Sequence, residues 1–395
     1  AEEEARLVSH GVINSMDIPK GVILEIGGGS TKIVYYNRRN IIAYETLPFG
    51  AVTLTDLFSA DNLKPEEQAQ KIEEFFREQL DNIPWLNQVD PDAKLIGVGG
   101  SFRNLGKISR RVKKYPLEMA HNYMLTTDEF VSIYDMLKVL DIDKKMKIKG
   151  LSSGRADIIP SAFAQIKAFV DKMGFNEITI SGCGLREGLM FNYANPTTVE
   201  KPISDVLAHS LSTLVNYYGL NAQKAEHVTD LAIQLFKQFR VLHKFPRQYI
   251  KVLKVAAMLH ESGKMVKFYN YHRHSAYIIL NSNLYGISHR DLALAAFVVF
   301  AHRKEDISNA EWAKFRLLLG EEDVEVVRKL AVILKIAESL DRSLGSIVKV
   351  LNCDVLGDSV IMKTEVEGDA SLEIKEALGA ASEFRKAFGK NLEII

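Results

Sequence analysis

Residues 22–36 read VILEIGGGSTKIVYY, and this stretch decides the fold of the first half of the chain. A short apolar run ends in three glycines, and the segment after them alternates as a strand does. The same order, an apolar strand followed by a glycine-rich turn, recurs at 94–101 and at 177–184. The segments between the turns share no period, so an α/β domain is predicted rather than a tandem repeat.

Helical periodicity replaces this pattern in the second half of the chain. From 203 to 340 the apolar residues recur at helical spacing, and this segment holds eight of the ten histidines. After residue 345 two alternating runs predict a hairpin, followed by a helix at 382–388. The sequence therefore predicts three domains: an α/β lobe over 1–195, an all-α domain over 196–342 and a small α+β domain over 343–395.

The composition limits the environment and the partners of the chain. Lys plus Arg and Asp plus Glu both number 50, so the formal net charge is zero. A neutral chain is not expected to coat nucleic acid, although a local basic groove would still suit a polyanion. Two cysteines cannot build a disulfide framework, and neither a secretory signal nor a run of roughly 20 apolar residues is present. We expect a cytoplasmic protein with no membrane partner and no specific nucleic-acid partner.

The glycine turns are candidate phosphate-binding elements. Glycine lets a phosphate approach the backbone closely and adopts the angles that aim several N–H groups at one anion. The alternative is that the glycines serve tight packing only, and for a single turn that alternative is the better one. Three such turns in one domain favour a phosphate cradle. Its predicted members are Gly27, Gly28, Gly29, Ser30, Thr31, Lys32, Gly99, Gly100 and Ser101.

Four motifs, in this order and spacing, resemble the exopolyphosphatase / guanosine pentaphosphate phosphohydrolase family of the actin, sugar kinase and chaperone ATPase superfamily. They are EEARL at 3–7, LEIGGGST at 24–31, GVGGS at 97–101 and SGCGLREG at 181–188. The helical segment adds LHESGK at 259–264 and HRHSAYI at 272–278, which look like the HD-like domain of long members. The resemblance covers at least residues 1 to 342.

The resemblance implies an activity and a set of roles. Members remove a terminal phosphate from inorganic polyphosphate or from the 5′-triphosphate of guanosine pentaphosphate, between two ribonuclease H-like lobes, with Mg²⁺ as the usual cofactor. Glu4 matches the family's water-activating Glu, and Glu25 is a metal or water carboxylate. Arg103 and Arg186 would add bidentate guanidinium contacts to phosphate. A homodimer is a possible assembly.

Two residues depart from the family's pattern. Glu25 stands where Asp is usual, and Lys32 reverses the charge of a position that is usually Glu. Lys32 could neutralise substrate phosphate, or it could mark weakened catalysis. The superfamily's first phosphate loop should precede residue 1, and the chain opens AEEEAR without Met. We therefore expect a processed product or a fragment that lacks about one lobe of a larger protein.

The helical domain carries a predicted metal site by the same resemblance. His227, His260, Glu261 and Asp341 occupy the ligand places of HD-type hydrolases, with His274 and His302 as candidate ligands of a second divalent metal. Glu261 replaces the usual Asp, so a structural or ligand-docking relic is the main alternative. Two rivals to a polyphosphatase stay open: a non-catalytic polyphosphate or nucleotide sensor, and an HD-type nucleotide phosphohydrolase.

Overall fold

A computed structural model describes residues 2–59, 63–195, 202–303 and 307–395. The chain forms two compact units, Ala1–Val206 and Leu207–Ile395. The predicted boundary at 195–196 adjoins residues 196–201, which lie outside the described residues. No helix in the described ranges is both long and apolar enough to cross a membrane.

The first unit is built on a six-stranded mixed sheet. Its strands are β1 (Lys20–Ile26), β2 (Thr31–Asn37), β3 (Asn40–Leu47), β4 (Lys94–Val98), β5 (Tyr123–Thr126) and β6 (Glu177–Ile180). They lie in the order β3-β2-β1-β4-β6-β5. β1 pairs with β4 and β4 with β6 in parallel, whereas the other pairs are antiparallel. The carboxyl ends of the three parallel strands therefore meet at one edge of the sheet.

Helices cover both faces of this sheet, which explains why the middle of β1 is apolar on both faces, from Val22 to Leu24. Ile23 and Ile96 pack into one core with Val8 and Val12 of the first helix, and the opposite faces of β1 and β4 contribute to the larger core. The helices are α1 (Glu2–Ile13), α2 (Ala51–Ser59), α3 (Pro65–Asp81), α4 (Gly100–Lys113), α5 (Thr127–Lys138), α6 (Ile142–Lys145), α7 (Ile159–Met173) and α8 (Leu185–Ala194), with 3-10 turns at Pro84–Gln88 and Ser153–Arg155. The predicted α/β class of this half is confirmed.

Two helix glycines let α1 and α8 cross at backbone contact. A Cβ at Gly188 would lie 1.8 Å from the carbonyl oxygen of Leu7, and one at Gly11 would lie 2.3 Å from that of Gly184. No side chain can move aside to relieve either clash, because both obstacles are backbone atoms. The crossing fixes α1, which carries Glu4, against the glycine turn that begins α8.

Gly188→Ala is expected to destabilise the protein by about 1–3 kcal/mol, the usual cost of overpacking. The loss should outweigh the roughly 1 kcal/mol that Ala gains over Gly in a helix. Urea unfolding measures it. Gly154→Ala is the matched control, because nothing lies within 4 Å of its added Cβ. Equal stability of the two variants would contradict the close crossing.

The second unit combines helices with a small sheet. Its helices are α9 (Val206–Tyr217), α10 (Ala222–Gln238), α11 (Arg240–His243), α12 (Tyr249–Leu259), α13 (Tyr271–Asn281), α14 (His289–Ala301), α15 (Asn309–Lys314), α16 (Asp323–Ser339), α17 (Ser371–Leu378) and α18 (Ala381–Phe388), with a 3-10 turn at Ser262–Met265. The strands are β7 (Val348–Leu356), β8 (Ser359–Val366) and β9 (Asn391–Ile394). β7 and β8 form the predicted hairpin, and β9 adds to β8 in parallel.

The tail over 343–395 lies in the same compact unit as the helices before it. Lys335 of α16 contacts Glu383 at 2.9 Å, and the ring of Phe239 lies 5.3 Å from that of Phe384. The structure thus shows no separation of compact units at the predicted boundary at 342.

Short elements differ most from the sequence prediction. β5 and β9 have four residues each and were not predicted. Helix α7 begins at Ile159, and Pro160 occupies its first turn, where a missing N–H costs no helical hydrogen bond.

Candidate functional site

The three glycine turns lie side by side in the first unit. Glu25 of β1 is in register with Val98 of β4, and Gly97 of β4 is in register with Ile180 of β6. The N–H of Ser181 donates to the carbonyl of Gly97 at 2.9 Å, which joins the second and third turns directly. The sequence motifs at 24–31, 97–101 and 181–188 therefore converge at one edge of the sheet.

A pocket opens where these turns meet. Its lining is formed by Glu25, Val98, Gly99, Arg103 and residues 182–187. Gly99 has a φ of 94°, an angle that favours glycine, and α4 starts directly after it. The first N–H groups of α4 have no side-chain cap, so this helix end offers donors and a partial positive charge to an anion.

Two arginines complete the pocket. Arg103 and Arg186 line it, and both are exposed. Within the ranges the structure describes, neither guanidinium forms an ion pair. Guanidinium groups without a carboxylate partner can take up phosphate in a bidentate geometry.

The carboxylates of Glu4 and Glu25 lie next to the buried Lys32, which stands near the start of β2. The Nζ of Lys32 is 3.0 Å from Oε2 of Glu4, 3.2 Å from Oε2 of Glu25 and 3.4 Å from Oγ of Ser30. The hydrogen bond and the charge of Lys32 lower the pKa of Glu4. Burial opposes the charge of Lys32, but the two glutamates outweigh it and raise the pKa of the ammonium. Glu4 and Lys32 are thus charged at neutral pH.

The predicted cradle residues divide into exposed and buried members. Gly28 and Gly29 are exposed, and their N–H groups make no hydrogen bond to the rest of the described chain. Thr31 is buried, and its hydroxyl donates to Oε1 of Gln165 at 2.8 Å. Gly27 uses its N–H within the turn, donating to the carbonyl of Ser30 at 2.9 Å. Gly28 and Gly29 are therefore better placed to bind an anion than Gly27 or Thr31.

Arg155 and Glu187 contact the second and third turns, and neither contact was predicted from the sequence. The guanidinium of Arg155 lies over Gly100, where an added Cβ would come within 2.4 Å of it. The hydroxyl of Ser101 is buried without a hydrogen-bond partner among the described residues. Glu187 accepts from the N–H of Gly184 at 2.8 Å and so caps the start of α8. No local sequence pattern indicates that Arg155 contacts the second turn, because it lies 55 positions from Gly100 in the chain.

The carboxylates of Glu4 and Glu25 do not fit a protein-bound Mg²⁺ in this arrangement. Mg²⁺ needs oxygen ligands at about 2.0–2.1 Å in an octahedral shell. The ammonium of Lys32 already occupies the space between the two carboxylates. Within the described ranges, no third carboxylate, His or Cys groups with this pair.

The ligand set predicted in the second unit separates into two groups. Nδ1 of His227 lies 3.1 Å from Oδ1 of Asp341, and its Nε2 lies 2.7 Å from the carbonyl oxygen of Val348. Burial disfavours charge on this ring, but the contacts to Asp341 and Val348 raise the pKa of His227. Nε2 is engaged by Val348, whereas Nδ1 faces Asp341 but makes no hydrogen bond among the described residues.

The second group surrounds His260. Among the described residues, His260, Glu261 and Glu338 offer donor atoms that all lie within 4.8 Å of one another. His302 faces Glu338 at 3.4 Å, whereas His274 does not join the group. Lys224 and Lys264 clamp Oε1 of Glu261 at 2.6 and 2.5 Å. Burial lowers the pKa of His260 and keeps the ring neutral. Glu338 was not predicted from the sequence.

Comparisons with known proteins agree with the motifs. The sequence model of the Ppx/GppA phosphatase family matches residues 1–196, and that of Ppx/GppA phosphatase domain III matches residues 206–376. A guanosine-5'-triphosphate,3'-diphosphate pyrophosphatase of Aeromonas hydrophila is 24% identical over 306 residues, which are 77% of this chain and 60% of that protein. The chain thus spans about 60% of the length of this curated relative.

Solved structures of lower similarity also match. A Ppx/GppA family member from Aquifex aeolicus is 23% identical with a TM-score of 0.44, over 50% of this chain and 63% of that one. An exopolyphosphatase from Cytophaga hutchinsonii is 24% identical with a TM-score of 0.45, over 50% of this chain and 65% of that one. The two sequence models together span most of the chain, and the chain belongs to the Ppx/GppA phosphatase family.

Proposed function

We propose that the protein is a phosphohydrolase that releases the terminal phosphate of inorganic polyphosphate, with guanosine pentaphosphate as the second candidate substrate. One observation carries the proposal. One pocket is lined by Gly99 before the uncapped start of α4, by two arginines without carboxylate partners and by Glu25, and Glu4 contacts the same lysine as Glu25. The relative from Aeromonas hydrophila, a pyrophosphatase of a guanosine nucleotide, supports the same class of reaction.

The residues suit anhydride hydrolysis by position and charge. The terminal phosphate would lie at the start of α4 and the turn at Gly28, with Arg103 and Arg186 neutralising its oxygens. Glu4 would orient a water and accept its proton as the water oxygen bonds to phosphorus. The bridging P–O bond breaks, and its electron pair leaves with the shortened polyphosphate. Mg²⁺, which the family resemblance implies, enters no step here because the carboxylate pair does not fit it.

A polyphosphate sensor is the second candidate function, and one observation favours it. Lys32 pairs with both Glu4 and Glu25, so neither carboxylate is free of a counter-charge. A site of this kind could hold a phosphate chain without cleaving it.

The test combines binding and phosphate release on the full chain with long-chain polyphosphate. A charge-assisted hydrogen bond contributes about 1.5–3 kcal/mol, so Arg103→Ala and Arg186→Ala should each weaken binding by about tenfold or more. Lys107→Ala is the control, because this exposed cation lies one turn further along α4. Release of phosphate by the parent supports the hydrolase, and binding without release supports the sensor. Unchanged binding in the double arginine variant would remove the pocket from the proposal.

A further inference from the structure

Lys32 occupies a fixed place opposite Glu25. The two residues are directly paired in the antiparallel ladder of β1 and β2, so their side chains leave the sheet on the same face. The side chain of Lys32 is 8% exposed, and its ammonium contacts the carboxylate of Glu4 from α1 as well. The strand register and the α1–α8 crossing hold the three groups together from three different elements.

The ammonium and a divalent cation would compete for one position. A metal ion bridging Glu4 and Glu25 would need one oxygen of each carboxylate, and Nζ of Lys32 already lies 3.0 and 3.2 Å from one oxygen of each. Two cations cannot share that space, because they would repel each other at close range in a partly buried site. Among the described residues, Lys32 forms its ion pairs with these two carboxylates alone.

We infer that the Lys32 ammonium is the resident cation of this site, holding Glu4 against Glu25 in the place of a protein-bound divalent metal. Lys32 is then a positioning residue: it keeps the Glu4 carboxylate ionised and aimed at the rim of the glycine turns. Its contact with the hydroxyl of Ser30 at 3.4 Å joins this charge cluster to the first turn. Any divalent ion would arrive bound to the substrate's phosphates. The inference deepens the proposed function, but it can be tested without hydrolysis.

The experiment counts bound Mn²⁺ by electron paramagnetic resonance and by calorimetry on four full-length chains. They are the parent, Glu25→Gln, Lys32→Gln and the double variant Lys32→Gln/Glu25→Gln. The parent and Glu25→Gln should bind the same number of ions. Lys32→Gln should gain one ion, and the double variant should lose it. Ions held by His260, Glu261 and Glu338 would be common to all four chains and cancel.

Two results would overturn the inference. One is the loss of a bound ion when Glu25→Gln is made in the parent, since that ion would already share the site with Lys32. The other is a folded Lys32→Gln chain that gains no ion. If Lys32→Gln does not fold, the parent and Glu25→Gln decide alone, with equal binding in support and a lost ion against. Absence of phosphate release would contradict the proposed hydrolase and leave these ion counts unchanged.

Discussion

Glu4→Gln is expected to lower the rate of phosphate release by about 10²–10⁴-fold, the usual contribution of a general base, while the affinity for polyphosphate changes little. Gln keeps the shape of the side chain but cannot accept a proton. The carboxylate of Glu4 is half exposed, so a water can reach it, and Lys32 keeps it ionised. Steady-state kinetics that separate kcat from KM measure the effect.

Glu3→Gln is the matched control for this prediction. Glu3 lies beside Glu4 in the first turn of α1 and is exposed, so it shares the helix environment but lies on a different face of the helix from Glu4. Its variant should keep the turnover of the parent. A Glu4→Gln variant with turnover within about twofold of the parent would remove Glu4 from the mechanism, because a general base contributes far more than that.

The convergence of the three glycine turns was predictable because each turn follows a strand in the local sequence. Parallel strands bring their carboxyl ends to one edge, so three strand-turn motifs in one α/β domain favour a shared site. The burial of Thr31 was not predictable in the same way. Its partner, Gln165, is 134 positions away, and nothing in the GGGST motif distinguishes a hydroxyl that points into the core from one that faces a ligand.

The predicted histidine ligands also show that distant contacts cannot be predicted from the local sequence. The resemblance to HD-type hydrolases placed His227 and Asp341 in one ligand set, and the structure brings them within 3.1 Å. The carbonyl of Val348, which engages the second nitrogen of His227, belongs to a backbone group that no sequence pattern marks. Whether the site near His260 binds metal stays a prediction, and the two lysines that clamp Glu261 disfavour a cation there.

Glu338 is the largest omission of the sequence prediction, and it lies at the centre of a buried polar cluster. Oε1 of its carboxylate accepts from Tyr271 at 2.9 Å and from Arg303 at 2.8 Å, and Oε2 faces His302 at 3.4 Å. Burial disfavours its charge, but His302 and the guanidinium of Arg303 outweigh this and hold the pKa of Glu338 well below its usual range. On a helical pattern, a glutamate near the end of α16 looks like an ordinary surface residue.

Glu338→Ala is expected to destabilise the protein by about 3–5 kcal/mol, because removing one partner of a buried pair leaves the others uncompensated. The side chain of Glu338 is 10% exposed, so water cannot replace its contacts to Tyr271 and His302. Glu325→Ala is the control: it lies on the same helix and pairs with Arg328 and Lys329, but its side chain is 43% exposed. Exposed pairs contribute about 0–1 kcal/mol, so this variant should stay within that range.

Urea unfolding followed by circular dichroism distinguishes the two variants of α16. If Glu338→Ala does not fold at all, Glu338→Gln gives a smaller, measurable loss in the free energy of unfolding. Gln can still accept one hydrogen bond from Tyr271, but it leaves Arg303 without a carboxylate. Its cost should therefore fall between those of Glu325→Ala and Glu338→Ala. Equal stability of Glu338→Gln and the parent would show that the charge of Glu338 is dispensable, and that its packing alone serves the fold.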